Sequence, residues 1–365
     1  MAIKDYVKNL LGFSTRRKLV AFAVDDYGNV RLHSKKARDQ LFEKNNKNDN
    51  LFDQYDALET YDDIYNLIEV LHSFRDKNGS PVCFSLYSVS CNLDFQRIID
   101  NHYEQIFTET LEQTYDRFNE AKTLSLIKEG IKMGSLCPEF HGREHFSYPI
   151  LEQLIREKNK DLIHSIEHLS LAGIMRSNGK ILPYTIAFYD PTGQYGQMHG
   201  EIISDGVKIF SKVYGIAPRG CMPSAATIHK ALIPHMLQEG LKFIETYRVK
   251  KNKQSVFPFE FYYTGKKITR DTVYMVRNVV FEPSSDRSID FVELAFQQIK
   301  TAFQLGKPAI ISSHRVNFCG RIDEANRKFS LQELSRLLTK ITKEWPDLEF
   351  LSTRDLAKYI IENQH

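Results

Sequence analysis

Short apolar runs alternate with segments of helical spacing along most of the chain. Lys18 to Val24, Pro81 to Val89, Ser135 to Phe140, Gly215 to Arg219, Leu241 to Thr246, Thr272 to Phe281, Pro308 to Ser313 and Leu348 to Leu351 read as strands. Between them, Asp63 to Lys77 places Ile64, Leu67, Ile68 and Leu71 on one helical face, and Asn78-Gly79 stops it. Residues 100–133, Pro149 to Lys158, Ala225 to Glu239, Asp290 to Leu305, Ser330 to Lys343 and Thr353 to Glu362 carry the same spacing, and Asp205 reads as the N-cap of a helix to about Tyr214. Residues 2–13 read as a short amphipathic helix, packed or lying on a membrane surface.

This alternation predicts an α/β chain with parallel strands and right-handed crossovers. Seven or eight strands suit a distorted (β/α) barrel, where function gathers at the C-terminal ends of the strands. The expectation is one domain over residues 1–365, interrupted by irregular insertions near 160–200 and 247–270, of the kind that form lids or binding loops.

Composition narrows the class. Of 365 residues, 42% are hydrophobic and 26% charged, an ordinary balance for a chain with a sizeable core. The net charge of +3 is too small to imply nucleic acid. Basic residues cluster at Arg16, Arg17 and Lys18 and at Lys250, Lys251 and Lys253, where solvated loops are the simpler reading. No apolar stretch is long enough to span a membrane, and the N-terminus has no signal-peptide core. Cys83, Cys91, Cys137, Cys221 and Cys319 are odd in number and show no Cys-x-x-Cys spacing, which predicts reduced thiols in a cytoplasmic protein.

Four polar clusters follow strand-like runs: Asp25-Asp26, His141 to His145, Pro218-Arg219 with Pro223, and His314-Arg315-Val316-Asn317. In a barrel all four meet at one mouth. Adjacent acids repel, so a metal ion or an arginine is needed to neutralise Asp25-Asp26. His141 and His145 are four apart, and on a helical turn such a pair can share a cation. Two histidines and a carboxylate make a three-ligand catalytic site.

In order and spacing these residues resemble the polysaccharide deacetylases, the NodB-homology carbohydrate esterases. Ala23-Val24-Asp25-Asp26-Tyr27-Gly28 is similar to the family's Phe-Asp-Asp-Gly motif, with Tyr27 inserted before the glycine. His141-Gly142-Arg143-Glu144-His145 is similar to its His-Ser/Thr-x-x-His motif, with glycine in second place. Arg219 to Pro223 is a looser match to its arginine motif, and Ile310-Ile311-Ser312-Ser313-His314 to its closing apolar strand and histidine. The resemblance spans residues 18–320.

The resemblance implies a metal-dependent hydrolase that removes acetyl groups from an N- or O-acetylated sugar or glycan precursor. Asp26, His141 and His145 would hold a divalent metal, zinc first, with cobalt, nickel or manganese as alternatives. Asp25 would be the base, Arg219 its ion-pair partner and His314 the general acid. The family's Asp that tunes this acid, with its nearby Trp, has no clear counterpart: Trp345 lies after His314, and Glu245 is a weak candidate. Arg277, Asn278, Asn317 and Tyr189 are candidates for substrate hydroxyls, beside solvated loop ends. A carbohydrate partner fits the aromatic content of the insertions. Two alternatives remain open: a glycosidase using the carboxylates as acid and nucleophile, and a non-catalytic metal- or sugar-binding member.

Overall fold

The computed structural model describes residues 3–42, 50–174, 182–251 and 259–364. Lys253 and parts of both predicted insertions lie outside the described residues.

The main sheet has ten strands: β1 (Leu19–Tyr27), β2 (Phe84–Val89), β3 (Leu136–Gly142), β4 (Gly220–Cys221), β5 (Phe243–Glu245), β6 (Lys267–Thr269), β7 (Thr272–Met275), β8 (Val279–Val280), β9 (Ala309–His314) and β10 (Glu349–Leu351). Their spatial order is β6-β7-β5-β4-β3-β2-β1-β9-β8, with β10 beside the first residues of β1. All pairings are parallel except β6 with β7.

The two ends of this path are one stretch of chain. β7 pairs with β5 through Val273 and Met275, and three residues later β8 pairs with β9 through Val279 and Val280. Asn278 N–H already donates to Ile310 O (3.1 Å). Residues 272–280 therefore act as one strand that leaves one edge and joins the other, closing the distorted barrel. The ring is β1, β2, β3, β4, β5, the joint β7–β8 strand and β9, with β10 as the eighth member.

β1 shows how the sequence serves both sides of the wall. All nine residues are buried. Side chains alternate faces along a strand. Val20, Phe22 and Val24 belong to the outer core with Ile64, Leu67 and Leu71 of α1 (Tyr61–His72). Leu19, Ala21 and Ala23 belong to the inner core with Tyr87, Met222, Phe243 and Ile310. Small alanines suit the narrow interior, and each large outer side chain contributes about 1.5–3 kcal/mol by leaving water.

Several boundaries differ from expectation. Residues 100–133 are not one helix: Thr108–Thr110 pairs antiparallel with Cys91–Leu93 across the helix Phe95–Asp100, and two helices follow, Leu111–Arg117 with a Thr110 capping box and Ala121–Lys132. Asp205 is no N-cap. The helix around it, α2 (Gly196–Tyr214), starts earlier, and Asp205 instead pairs with Arg143 (2.9 Å). The stretch from Ala225 to Glu239 yields only two 3-10 turns and the short helix Ile233–Gln238, because Pro234 is tolerated only in the first turn of a helix and forces a new start there. The N-terminal helix covers Ile3–Val7. Arg17 and Lys18 are structural, paired with Glu349 and Asp347. All five cysteines are free. Among the described residues no helix is long and apolar enough to cross a membrane.

Candidate metal and catalytic site

Asp25 and Asp26 do not follow β1; they lie within it. Neighbouring strand residues face opposite sides, so two adjacent acids reach one pocket only if the strand is distorted. β1 has that distortion. Its register against β2 shifts between Val24 and Tyr27, and Asp26 takes a positive φ of 76°. Asp25 continues the inward face of Ala21 and Ala23, and the irregular backbone turns Asp26 to the same cavity. Tyr27, the inserted residue, resumes pairing opposite Ser88 and packs into the outer core. A positive φ is costly outside glycine, and where it persists the surroundings hold it.

The surroundings here are a buried polar brace. Glu59 accepts from Gly28 N–H (3.0 Å), Asn92 accepts from Val30 N–H (3.0 Å), and Arg315 donates to Asn29 O (2.8 Å). Arg315 is itself held by Asp56 (2.6 Å) and Glu59 (2.8 Å), all three side chains being almost wholly buried. The loop after the acids is thus fixed at several backbone atoms.

His141 lies in β3, on its inward side, and not on a helical turn as its spacing with His145 suggests. Gly142 follows at φ 133°, and a Cβ there would meet Glu144 O at 2.8 Å. This glycine turn, in place of a helix, brings His145 back over the same cavity. Arg143 and Glu144 pair with each other. His141 Nδ1 donates to the Met222 carbonyl, which leaves its Nε2 lone pair facing Asp26. His141 Nε2 is 3.3 Å and His145 Nε2 3.0 Å from Asp26 Oδ1. These three ligand atoms all lie within 4.8 Å of one another. Burial alone would raise the Asp26 carboxyl; the charge of His145 and hydrogen bonds from His141 and His145, once these are protonated at Nε2, overturn this and hold it well below the usual range. A carboxylate and two nitrogen lone pairs, one fixed in its tautomer, fit a divalent cation such as zinc.

Asp25 has a guanidinium partner, but it is Arg277. Arg277 Nη1 is 2.8 Å from Asp25 Oδ2 and Nη2 is 2.6 Å from Oδ1, a bidentate fork. Its Nε donates to Glu245, which also accepts from the Tyr87 hydroxyl. Glu245 therefore orients Arg277 and has no contact of this kind with His314. Arg219 is elsewhere: its side chain is exposed, lining a surface groove with Lys242, Asp271 and Arg354. It precedes β4, at the strand end opposite the mouth, which is why it cannot reach Asp25.

His314 ends β9, and its Nε2 is 3.8 Å from Asp25 Oδ2. Its Nδ1 is 2.7 Å from Glu282 Oε1. Burial alone would lower this imidazole, but Glu282 and then the two acids of β1 raise it to about 10. Glu282 supplies the partner that sequence reasoning left unfilled. Its signal was present: an acid directly after the apolar run Val279-Val280-Phe281, just past the strand that pairs with β9.

The proposed substrate residues are placed otherwise. Asn317 is fully buried and donates to Glu282 Oε2 (2.6 Å), so it positions the acid pair. Asn278 is buried at the barrel seam, donating to Pro308 O (2.9 Å) and accepting from Ile310 N–H (2.8 Å). Tyr189 is half-buried and does not line the cavity. Tyr184 and Tyr247 do, with Arg31, Asn50, Phe52 and Thr185, around a volume of about 270 Å³.

No family model and no curated protein matches the chain. Among solved structures, it is similar to a protein described as a polysaccharide deacetylase from Mycobacterium smegmatis, with 11% identity and a TM-score of 0.48 over 97% of this chain and 96% of that one. A polysaccharide deacetylase from Pseudomonas aeruginosa PAO1 gives 10% identity and 0.49 over 96% and 92%. A 4-alpha-glucanotransferase from Thermococcus litoralis gives 10% and 0.48 over 94% of this chain and 40% of that one. With such different activities at the same low identity, the chemistry rests on this chain's own residues.

Proposed function

We propose that this chain is a divergent polysaccharide deacetylase, a metal-dependent hydrolase that removes an acetyl group from an N- or O-acetylated sugar or glycan precursor. The observation that carries this reading is the convergence of three groups on one cavity. They are the Asp26, His141 and His145 ligand atoms, the Asp25–Arg277 pair and the His314–Glu282 pair.

Asp26, His141 and His145 would hold the cation, zinc by the chemistry of the donors. When bound, it supplies Lewis acidity toward a carbonyl and toward water. Asp25 is the base that takes a proton from the attacking water. The Arg277 fork fixes the direction of its carboxylate, so the lone pair that receives the proton is not free to rotate away. His314, held through Nδ1 by Glu282, presents Nε2 to the cavity and passes its proton to the leaving amine or alcohol. Tyr247, half exposed at the cavity, offers a ring face for a sugar. The volume lies near the lower end of small-molecule sites, about 300–1,000 Å³.

The test is metal content of the purified protein, together with acetate release from acetylated chitooligosaccharides and aryl acetates, with and without a chelator. Bound metal and chelator-sensitive acetate release are expected. Turnover that survives complete metal removal would overturn the reading. Metal without turnover on any acetylated sugar would favour a binding protein.

A further inference from the structure

We infer that the face built from the ribbon after β5 and the N-terminal helix docks on an anionic lipid surface. The ribbon pairs Val249–Lys251 with Phe259–Phe261 antiparallel, Val249 opposite Phe261 and Lys251 opposite Phe259. Residues on one face of a ribbon alternate with those on the other. Val249, Lys251, Phe259 and Phe261 are all exposed, whereas Lys250 and Glu260 are partly covered. Phe261 is 60% exposed, and among the described residues this side of the ribbon is left open.

A second apolar surface adjoins it. Val7, Leu10 and Leu11 are each about 60% exposed. Leu11 and Arg248 line the same crevice, and Phe13 N–H donates to Thr264 O (2.8 Å), so the N-terminal segment lies along the base of the ribbon. Two protruding elements thus present branched aliphatic and aromatic side chains together. A lone glycan strand would call for flat aromatic faces and hydrogen-bonding groups, which Val7, Leu10, Leu11 and Val249 do not offer. A hydrocarbon boundary accepts all of them.

Charge selects the kind of lipid. Lys251 stands on the exposed face, and Lys266 reaches the Phe261 carbonyl (2.8 Å). The acid of the described ribbon, Glu260, lies on the covered side and is paired with Lys230 (2.7 Å). Asp5 of the N-terminal helix is likewise paired, with Lys8 (2.6 Å); apolar side chains with lysines at their edge and their acids paired suit anionic headgroups. Tyr247, two residues before the ribbon, is half exposed and also lines the site cavity. Docking would therefore set the cavity mouth beside the lipid surface. This inference does not depend on the deacetylase reading.

The test is co-sedimentation of the full chain with phosphatidylcholine vesicles, with and without phosphatidylglycerol, at low and high salt. Binding is expected only with phosphatidylglycerol and weaker at high salt. The double variant F259S/F261S should weaken it about tenfold or more, and K251E should weaken it on anionic vesicles, with thermal unfolding unchanged. L10S/L11S probes the segment after the N-terminal helix separately and should also reduce binding. Absence of sedimentation with anionic vesicles, or binding unaffected by all three variants, would overturn the inference. A dimer in solution that F259S/F261S dissolves would reassign the face to a second copy of this chain.

Discussion

Glu282, two residues past β8, and His314, at the end of β9, face each other, Oε1 to Nδ1 at 2.7 Å, with Asn317 fixing the other carboxylate oxygen at 2.6 Å. The acid pair is thus held from both sides by residues of two adjoining segments.

That arrangement sets a pH dependence. A general acid must carry its proton, and His314 is raised to about 10 from an ordinary 6.5. The rate should therefore persist through neutral pH and fall as pH rises through the elevated value. Glu282→Gln removes the leading counter-charge, so the alkaline limb of kcat should move toward 6.5, with a loss of about tenfold to a hundredfold at pH 7. An unmoved limb in a folded Glu282→Gln variant would show that His314 is not the acid.

Two arginines compete for the role beside Asp25, and they separate cleanly. Arg277→Lys keeps charge but loses the fork, and kcat should fall about a hundredfold with metal content retained. Arg219→Ala, at an exposed position, should leave kcat within about twofold. The reverse pattern would restore Arg219.

Asp26→Asn and His141→Ala should each lower metal stoichiometry measured by atomic spectroscopy. Chelation of the parent protein should lower its melting temperature, since a ligand bound only to the native state stabilises it. Equal metal content in all three proteins would disprove the ligand set.

Gly28→Ala tests the brace below the acids. Gly28 sits at φ +76°, and a Cβ would meet the Leu111 side chain at 2.9 Å. A loss of about 1–3 kcal/mol in denaturant unfolding is expected, with activity falling further because Asp26 is two residues away.

Away from the site, Glu349 reports on stability. Its carboxyl is held down to about 2 from 4.5, chiefly by hydrogen bonding to Arg17 and with help from Lys77 against partial burial. A depressed carboxylate stabilises the fold above its unfolded pKa and loses that contribution as pH falls toward 2. Glu349→Gln should be less stable than the parent at pH 7, and the gap should shrink toward pH 3 in urea titrations.

The barrel was legible because its strands are buried on both faces and read as unbroken apolar runs, as in β1 and β9. The helix predicted over residues 100–133 failed because apolar spacing alone cannot show that Thr108 to Thr110 pairs back onto Cys91. Asp25-Asp26, His141 and His314 stood out because each follows a strand-like run, and His145 because it stands four residues after His141. Arg277 was noticed but misassigned: its partner is 252 residues away, and only closure of the barrel brings Asp25 to it. Glu282 was missed because its place after the apolar run Val279 to Phe281 does not by itself say that its partner is a histidine 32 residues on. Asn317 and Asn278 look like surface polar residues in sequence, yet both are buried bridges between backbone segments.

The strand over residues 272–280 has a consequence for how the protein fails. It carries Arg277 within it, and Glu282 follows two residues after β8. Peeling this single strand from β9 would open the ring and remove the counter-charges of the proposed base and acid, Asp25 and His314, in one event. Catalysis would then be lost at a lower denaturant concentration than bulk secondary structure. Turnover would serve as a gauge of a partly opened molecule that spectroscopy would still count as folded.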